Sequence, residues 1–280
     1  MTLLMATSPI CLVTGASSGI GKAIAKVLLQ NNFIVYAAAR RVEKMTDIAN
    51  LGAIVLPMDI TQSAQIEAAV AKIQAAHGGV DILINNAGFG SYGAMEDTPI
   101  EAARYQFEVN LFGLARLTQA VLPYMRNKPK AGQKGIIVNM SSMGGKIYFP
   151  LGSWYHASKH ALEGWSDCLR LELAPFDIDV VIIEPGIIET EFSDVMVGPL
   201  LKRSGNSAYA PMARSLAKST QDSYEKGGSS PDVIAQVVLK AVTSPQPKTR
   251  YVAGRLAWPL LLLRKWLPDR AFDWAISQAI

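Results

Sequence analysis

The 280-residue chain holds two cysteines, Cys11 and Cys168, and three histidines. So few, standing so far apart, supply neither a disulfide framework nor a metal-ligand spacing, and a reducing cytoplasm is the expected setting. Apolar runs nowhere reach the roughly 18 residues of a spanning helix. Met1 to Ser8 carries no Lys or Arg and no cleavage-like site, so no secretory signal is expected there. Low-complexity tracts, internal repeats and domain linkers are missing as well. Charge is sparse at 18%, and the net +4 is uneven. After residue 247, Lys248, Arg250, Arg255, Arg264, Lys265 and Arg270 outnumber Asp269 and Asp273 by four, which accounts for the whole excess. Residues 1–247 are therefore balanced, and no basic groove for nucleic acid is expected.

What is present is apolar: 50% of the residues, enough for a large core in one α/β unit of this length. Short β-branched runs alternate with longer helical patterns. Strands are predicted at Ile10–Thr14, Phe33–Ala39, Ala53–Leu56, Val80–Asn85, Gly135–Met140 and Asp179–Glu184, with a short seventh at Tyr251–Ala253. Helices are predicted at Gly19–Gln30, Gln62–Ala76, Pro99 to about Met125, and Ser153–Ala174. Continuous apolar strands alternating with helices imply a doubly wound, Rossmann-like parallel sheet of about seven strands in a single domain, with its ligand at the carboxyl ends. The expected organisation is a catalytic domain over residues 1–254 and a basic, apolar C-terminal helical extension over 255–280. Residues from about 191 to 230, richer in Gly, Ser and Pro and less periodic, suggest a mobile flap over the site.

Thr14-Gly15-Ala16-Ser17-Ser18-Gly19-Ile20-Gly21 falls where the first strand turns into its helix. Glycines permit a tight turn and a close backbone approach to phosphate, and the helix N-terminus offers free N–H groups to it. The Gly-Lys-Ser/Thr ending of a nucleoside-triphosphate loop is missing. The second strand ends in Arg40-Arg41 with no acid to accept from a ribose 2′-hydroxyl. Two guanidiniums suit a 2′-phosphate, so NADP(H) is favoured over NAD(H).

Farther on, Tyr155 stands four residues before Lys159 in a helical pattern, which places both on one face, one turn apart. A phenol is a poor acid–base catalyst at neutral pH, and a nearby ammonium brings its pKa toward the working range.

Taken together, these segments resemble the short-chain dehydrogenase/reductase family in its single-domain form. The matching pieces run in order: Thr14–Gly21, Asp59, Asn85-Asn86-Ala87-Gly88, Asn110, Ser142, Tyr155 with Lys159, and Pro185-Gly186. Asn-Asn-Ala-Gly-Phe-Gly and Ser-Met-Gly-Gly are closest to members acting on steroids, retinoids or other lipid-like carbonyls. The resemblance implies a catalytic tetrad. Tyr155 would be the general acid in reduction and the base in oxidation; Lys159 would bind the nicotinamide ribose and lower the tyrosine pKa. Ser142, 13 residues before Tyr155, would donate to the substrate oxygen. Asn110 would hold a backbone kink and a water feeding protons to Lys159. The same resemblance assigns Gly15, Ser17, Ser18, Gly19 and Ile20 to the phosphates, and Asp59 with Ile60 to the adenine. Asn86, Ala87 and Gly88 fall to the adenosine ribose, and Pro185, Gly186, Ile188 and Thr190 to the nicotinamide side. Family members are commonly homodimers or homotetramers.

Phe89, Tyr92, Tyr148, Phe149, Trp154 and Phe192 flank the tetrad and suit an apolar carbonyl or alcohol substrate. The tail joins Leu260–Leu263 to Arg264-Lys265 with Trp258, Trp266 and Trp274 nearby. It reads either as an interfacial membrane helix or as a helix packed over the pocket or a second subunit. The leading reading is an NADP(H)-dependent oxidoreductase interconverting a hydrophobic ketone or aldehyde and its alcohol. The alternatives are an NAD(H)-dependent alcohol dehydrogenase of the same family and a non-catalytic NADP(H)-sensing regulator.

Overall fold

Alternating strands and helices wind onto both faces of one sheet. The computed structural model describes residues 8–127, 134–225 and 227–278. Residues 1–7, where the absence of a leader was expected, Lys226 of the expected flap and the last two residues of the tail lie outside them. Among the described residues the first half runs β1 (Ile10–Thr14), α1 (Gly19–Gln30), β2 (Ile34–Ala39), α2 (Thr46–Asn50), β3 (Ile54–Pro57), α3 (Ser63–His77) and β4 (Ile82–Asn85). Then come α4 (Ile100–Phe107), α5 (Leu114–Asn127), β5 (Gly135–Met140), α6 (Ser153–Leu173) and β6 (Ile178–Pro185). The chain closes with α7 (Phe192–Ser204), α8 (Ala210–Glu225), α9 (Pro231–Thr243), β7 (Arg250–Ala253), α10 (Ala257–Trp266) and α11 (Asp269–Ser277).

The seven strands pair in the order β3-β2-β1-β4-β5-β6-β7, every pair parallel. Strand side chains alternate between two cores, as the pleat requires. Cys11, Val13, Val138 and Val181 turn toward Ile24 and Leu28 of α1 and Ile234 and Val238 of α9. Leu12, Leu83, Ile137 and Val180 turn toward Ile66 and Ile73 of α3, Leu117 and Val121 of α5, and Leu169 of α6. Each such fully buried side chain contributes roughly 1.5–3 kcal/mol of transfer free energy. The strand order reverses between β1 and β4, which opens a crevice at their carboxyl ends.

Two expectations change. The long helix is interrupted: Glu108–Gly113 forms a π-helical segment between α4 and α5. At its end Gly113 packs on the Ile60 carbonyl, which a Cβ there would press on. The segment expected as an irregular flap is largely helical. Gly198 and Pro199 disguise α7 in the sequence, but Met196 and Leu200 bury against Leu216 of α8 and against Tyr92, Leu151 and Tyr155. Tertiary packing outweighs local propensity there.

Beneath the site lies a charge cluster. Arg250 of β7 reaches Glu163 Oε2 (3.1 Å) and Asp167 Oδ2 (2.7 Å) on α6, and Glu184 Oε1 (3.2 Å) on β6. Lys146 adds a contact to Glu163 Oε2 at 3.1 Å. Glu163 and Glu184 are both buried. Burial and then the neighbouring Glu163 charge push the Glu184 carboxyl up to about 7.

Candidate active site

The turn after β1 is built around backbone that side chains would block. Gly15 and Gly19 have φ of +67° and +51°, and a Cβ on Gly15 would lie 2.9 Å from Asn86 Nδ2. Thr14 fastens the turn to the end of β4: its Oγ1 accepts from the N–H groups of Asn86 (3.0 Å) and Ala87 (2.9 Å). Asn86 Nδ2 donates to the Thr14 carbonyl at 2.9 Å, so Asn86 braces the turn from behind. Ser18 at the start of α1 makes no side-chain cap, which leaves the first N–H groups of a 12-residue helix for another acceptor.

These groups border a cleft of about 390 Å³. Gly15, Ser17 and Ser18 form one wall, Arg40, Arg41, Asp59 and Ile60 another, and Ala87 and Gly88 the inner end. Arg41 Nη2 donates to Ser18 Oγ at 3.0 Å and pairs with Glu191 Oε2 at 3.2 Å. Lys44 Nζ lies 3.4 Å from Glu191 Oε1. Arg40 donates to the Tyr105 hydroxyl (3.3 Å) and stands 3.9 Å from Asp59 Oδ2. Asp59 Oδ1 accepts from the N–H and hydroxyl of Thr61, which fixes its own turn.

Next to Gly88, helix α6 carries Tyr155 and Lys159 one turn apart, both buried. Tyr92, His156 and Phe192 surround the Tyr155 ring at centroid distances of 5.7, 5.4 and 5.7 Å. That apolar wall pushes the phenol up to about 12, with the Ser142 hydroxyl pulling the other way. Lys159 is drawn down to about 8 by burial, opposed by Glu163. Its Nζ donates to the Met140 carbonyl at 2.8 Å. Lys159 is thus turned to a backbone oxygen, and the Ser142 hydroxyl is the neighbour that pulls the tyrosine down.

Ser142 Oγ accepts from Gly144 N–H at 3.0 Å and caps the short turn Met143–Gly145. A Cβ on Gly144 would lie 3.1 Å from both Tyr155 Cε1 and His156 Nδ1, so that turn sits tight on the helix. Asn110, in the π segment, donates through Nδ2 to the Phe89 carbonyl and to Ser158 Oγ, both at 3.0 Å. Its Oδ1 accepts from Phe89 N–H at 3.1 Å, and Ser158 Oγ donates to the Tyr155 carbonyl at 2.7 Å. A Cβ on Gly88 would lie 3.2 Å from Asn110 Oδ1 and 3.7 Å from Lys159 Nζ, so cleft and tetrad are continuous.

The remaining residues of the sequence reading lie around this centre. Thr190 closes over Gly19, where a Cβ would meet its methyl at 3.1 Å. Ile188 is buried and Ile20 packs on the same core, so only their backbones can face the cleft. Pro185 ends β6, and Gly186 is pressed against the Arg255 carbonyl and Ala257. The aromatic rim divides: Tyr92 and Phe192 meet Tyr155, Phe89 lies on Tyr105, and Trp154 turns aside to Phe107. Tyr148 and Phe149 join the tail cluster.

Three contributors escaped the sequence reading. His156 is buried, accepts from Phe149 N–H (3.0 Å) and meets the Gly144 carbonyl (2.9 Å) and the Tyr92 hydroxyl (3.3 Å). Ser158 links Asn110 to α6, and Glu191 faces the two cations. Adjacency to Tyr155 for His156 and to Lys159 for Ser158 was the available signal; nothing local marked Glu191.

The uncapped helix start, the unsubstitutable glycines and the paired arginines fit a dinucleotide. No cluster of His, Cys, Asp and Glu able to hold a metal ion occurs among the described residues. Residues 9–197 match the family model described as short chain dehydrogenase. The chain is 36% identical to 3-ketodihydrosphingosine reductase of Bacteroides thetaiotaomicron over 95% of its length and 96% of that protein. It is 33% identical to an NADPH-dependent 3-dehydrocapnine reductase of Ornithobacterium rhinotracheale, over 93% of each. A solved short-chain dehydrogenase from Streptomyces avermitilis superposes with a TM-score of 0.80 at 33% identity, covering 97% of this chain and 96% of that one. The chain belongs to the short-chain dehydrogenase/reductase family and is an oxidoreductase working between alcohol and carbonyl with a nicotinamide cofactor.

Proposed function

We propose that this short-chain dehydrogenase/reductase interconverts a hydrophobic ketone or aldehyde and its alcohol, with NADP(H) as the preferred cofactor. The observation that carries the reading is Tyr155 and Lys159 one turn apart on α6, with the Ser142 hydroxyl at the phenol and Lys159 next to Gly88 of a cleft lined by Arg40 and Arg41. Both relatives above are named as reductases, one of them NADPH-dependent, which supports the direction and the cofactor.

When bound, the reduced nicotinamide supplies the hydride for the carbonyl carbon. Gly15, Ser17 and Ser18 with the start of α1 would hold the pyrophosphate, and Gly19 with Thr190 would close over it. Arg40 and Arg41 would take the 2′-phosphate through charge-assisted bonds, displacing the Glu191 carboxylate from Arg41. Asp59, Ile60, Ala87 and Gly88 would border the adenosine, and the backbone from Pro185 to Ile188 the nicotinamide. Tyr155, kept neutral by its apolar surroundings, is poised to donate its proton to the substrate oxygen. Ser142 donates to the same oxygen and stabilises the charge that develops there. Lys159 would hold the nicotinamide ribose, and its ammonium stabilises the phenolate left behind. Asn110 ties the loop at Phe89 to the Tyr155 backbone through Ser158 and so positions the acid. Tyr92 and Phe192 form the apolar wall against which the substrate lies. The unit over residues 1–254 carries this chemistry, with α7 and α8 as its substrate cover, and a homodimer or homotetramer in the cytoplasm is its proposed form.

A screen of lipid-like, steroid and small ketones followed by NADPH consumption tests the reading. Tyr155→Phe should keep cofactor affinity and lose turnover by about 10²–10⁴-fold. Persistent turnover would sink the catalytic assignment, and its absence in every protein tested favours the sensing regulator. Arg40→Asp should weaken NADPH and spare NADH; unchanged preference would overturn the cofactor assignment.

A further inference from the structure

Helix α10 has two unlike faces. Leu260 and Leu261 pack inward with Leu267 on Ile147, Phe272 and Ile276, in one cluster with Met143, Tyr148 and Phe149. Trp258, Leu262 and Trp266 recur at every fourth position, which helical geometry puts in one stripe. They are 57%, 48% and 75% exposed, and Trp274 on α11 adds a fourth large apolar side chain at 67%. Isolated exposed apolar residues are ordinary; three indoles and a leucine on one short hairpin are not.

Cations are in excess on α10 and α11: Arg264, Lys265 and Arg270 stand against Asp269 and Asp273, and Asp273 accepts from the Tyr148 hydroxyl at 2.9 Å. Arg264 is spoken for, bonded to Asp269 and lying over the Tyr148 and Phe272 rings. Lys265 and Arg270 are exposed, and Lys265 Nζ lies 5.5 Å from the Trp266 ring. We propose that this face of α10 and α11 docks on the surface of an anionic lipid bilayer. Indoles place an apolar body in the acyl boundary and an N–H among headgroups, while the cations meet the lipid anions. A second copy of the chain suits the face less, because a two-fold contact would set the positive end of the molecule against itself. At 10 residues α10 is about 15 Å long, and no helix among the described residues is long and apolar enough to span a membrane. The hairpin therefore lies along the surface. Its inner face rests on residues 143–149, beside Ser142, so a lipid carbonyl leaving the bilayer would enter the site without crossing water. The surface carries the proposal by itself, independently of the redox reading.

Co-sedimentation of the full chain with vesicles decides it. Vesicles of phosphatidylcholine with roughly a third phosphatidylglycerol should pellet the protein at low salt, phosphatidylcholine alone should retain far less, and added salt should release it. Trp258→Ser with Trp266→Ser and Trp274→Ser should lower binding by about tenfold or more, and so should Lys265→Glu with Arg270→Glu. Circular dichroism of both variants checks that the fold persists. No pelleting of the wild type, or equal binding to both vesicle types, overturns the proposal. So does a fall in sedimentation-equilibrium mass in the tryptophan variant, which would make the stripe an interface between copies.

Discussion

Glu191 shows what a single side chain does that its position in the chain does not reveal. Its carboxylate lies between Arg41 and Lys44, and the Arg41 contact leads in holding it below the usual range for a carboxyl. A 2′-phosphate on Arg41 must compete with that carboxylate. The pair is exposed, and such pairs contribute roughly 0.2–1 kcal/mol. Glu191→Gln should therefore tighten NADPH by about two- to fivefold and leave NADH unchanged. Titration of both cofactors against the variant checks this, and a parallel change in the two would count against competition at the phosphate. Tyr155 and Lys159 were legible as a pair from helical spacing, and Ser142 and Asn110 from the family resemblance. The protonation of Tyr155 was not, since its solvent is removed by Tyr92 and Phe192, drawn from segments far away in the chain.

Among elements, the junction of α6 with the loops before it rests on His156. Its ring touches the Gly144 carbonyl, the Phe149 amide and the Tyr92 hydroxyl, and so joins two loops to the catalytic helix. Burial, the leading cause, holds its pKa down at about 4. The unfolded chain thus binds a proton there between pH 6.5 and about 4 that the folded chain refuses, and stability falls as pH drops through that window. Glu184, raised to about 7, has the opposite slope, so the wild type alone is a poor readout. The comparison is with His156→Gln: between pH 7 and 5 the wild type should lose about 2 kcal/mol more than the variant in urea unfolding. Equal losses would remove His156 from this role. Strand positions were legible from β-branched runs within a residue or two. The π segment did not show in the helical periodicity, although the family resemblance placed a backbone kink at Asn110, within it. Helix α7 was hidden by Gly198 and Pro199, whose local preference the Tyr92–Leu200–Leu216 packing overrides.

Across the whole molecule, the alternation of strands and helices was enough to foresee a parallel, doubly wound sheet, because crossover handedness leaves few other arrangements. The sequence could not pair charges across the last strand. Arg250 arrives from β7 to meet Glu163 and Asp167 on α6 and Glu184 on β6. Removing the cation leaves two buried acids facing each other with Lys146 as their remaining described cation. Arg250→Met should lower stability by about 3 kcal/mol, and adding Glu163→Gln and Glu184→Gln should restore most of it. Denaturant titrations of the two variants test this, and no recovery in the triple variant would assign the loss to packing alone.

That cluster also bears on how the chain is made. Synthesis delivers the cleft, the tetrad and both acids before it delivers Arg250. Until the last strand docks, Glu163 on α6 and Glu184 on β6 lack the Arg250 contacts, and Glu163 keeps Lys146. A chain cut short before β7 would carry every reacting group without the Arg250 ties that join α6 to β6, and should be less stable than the full chain.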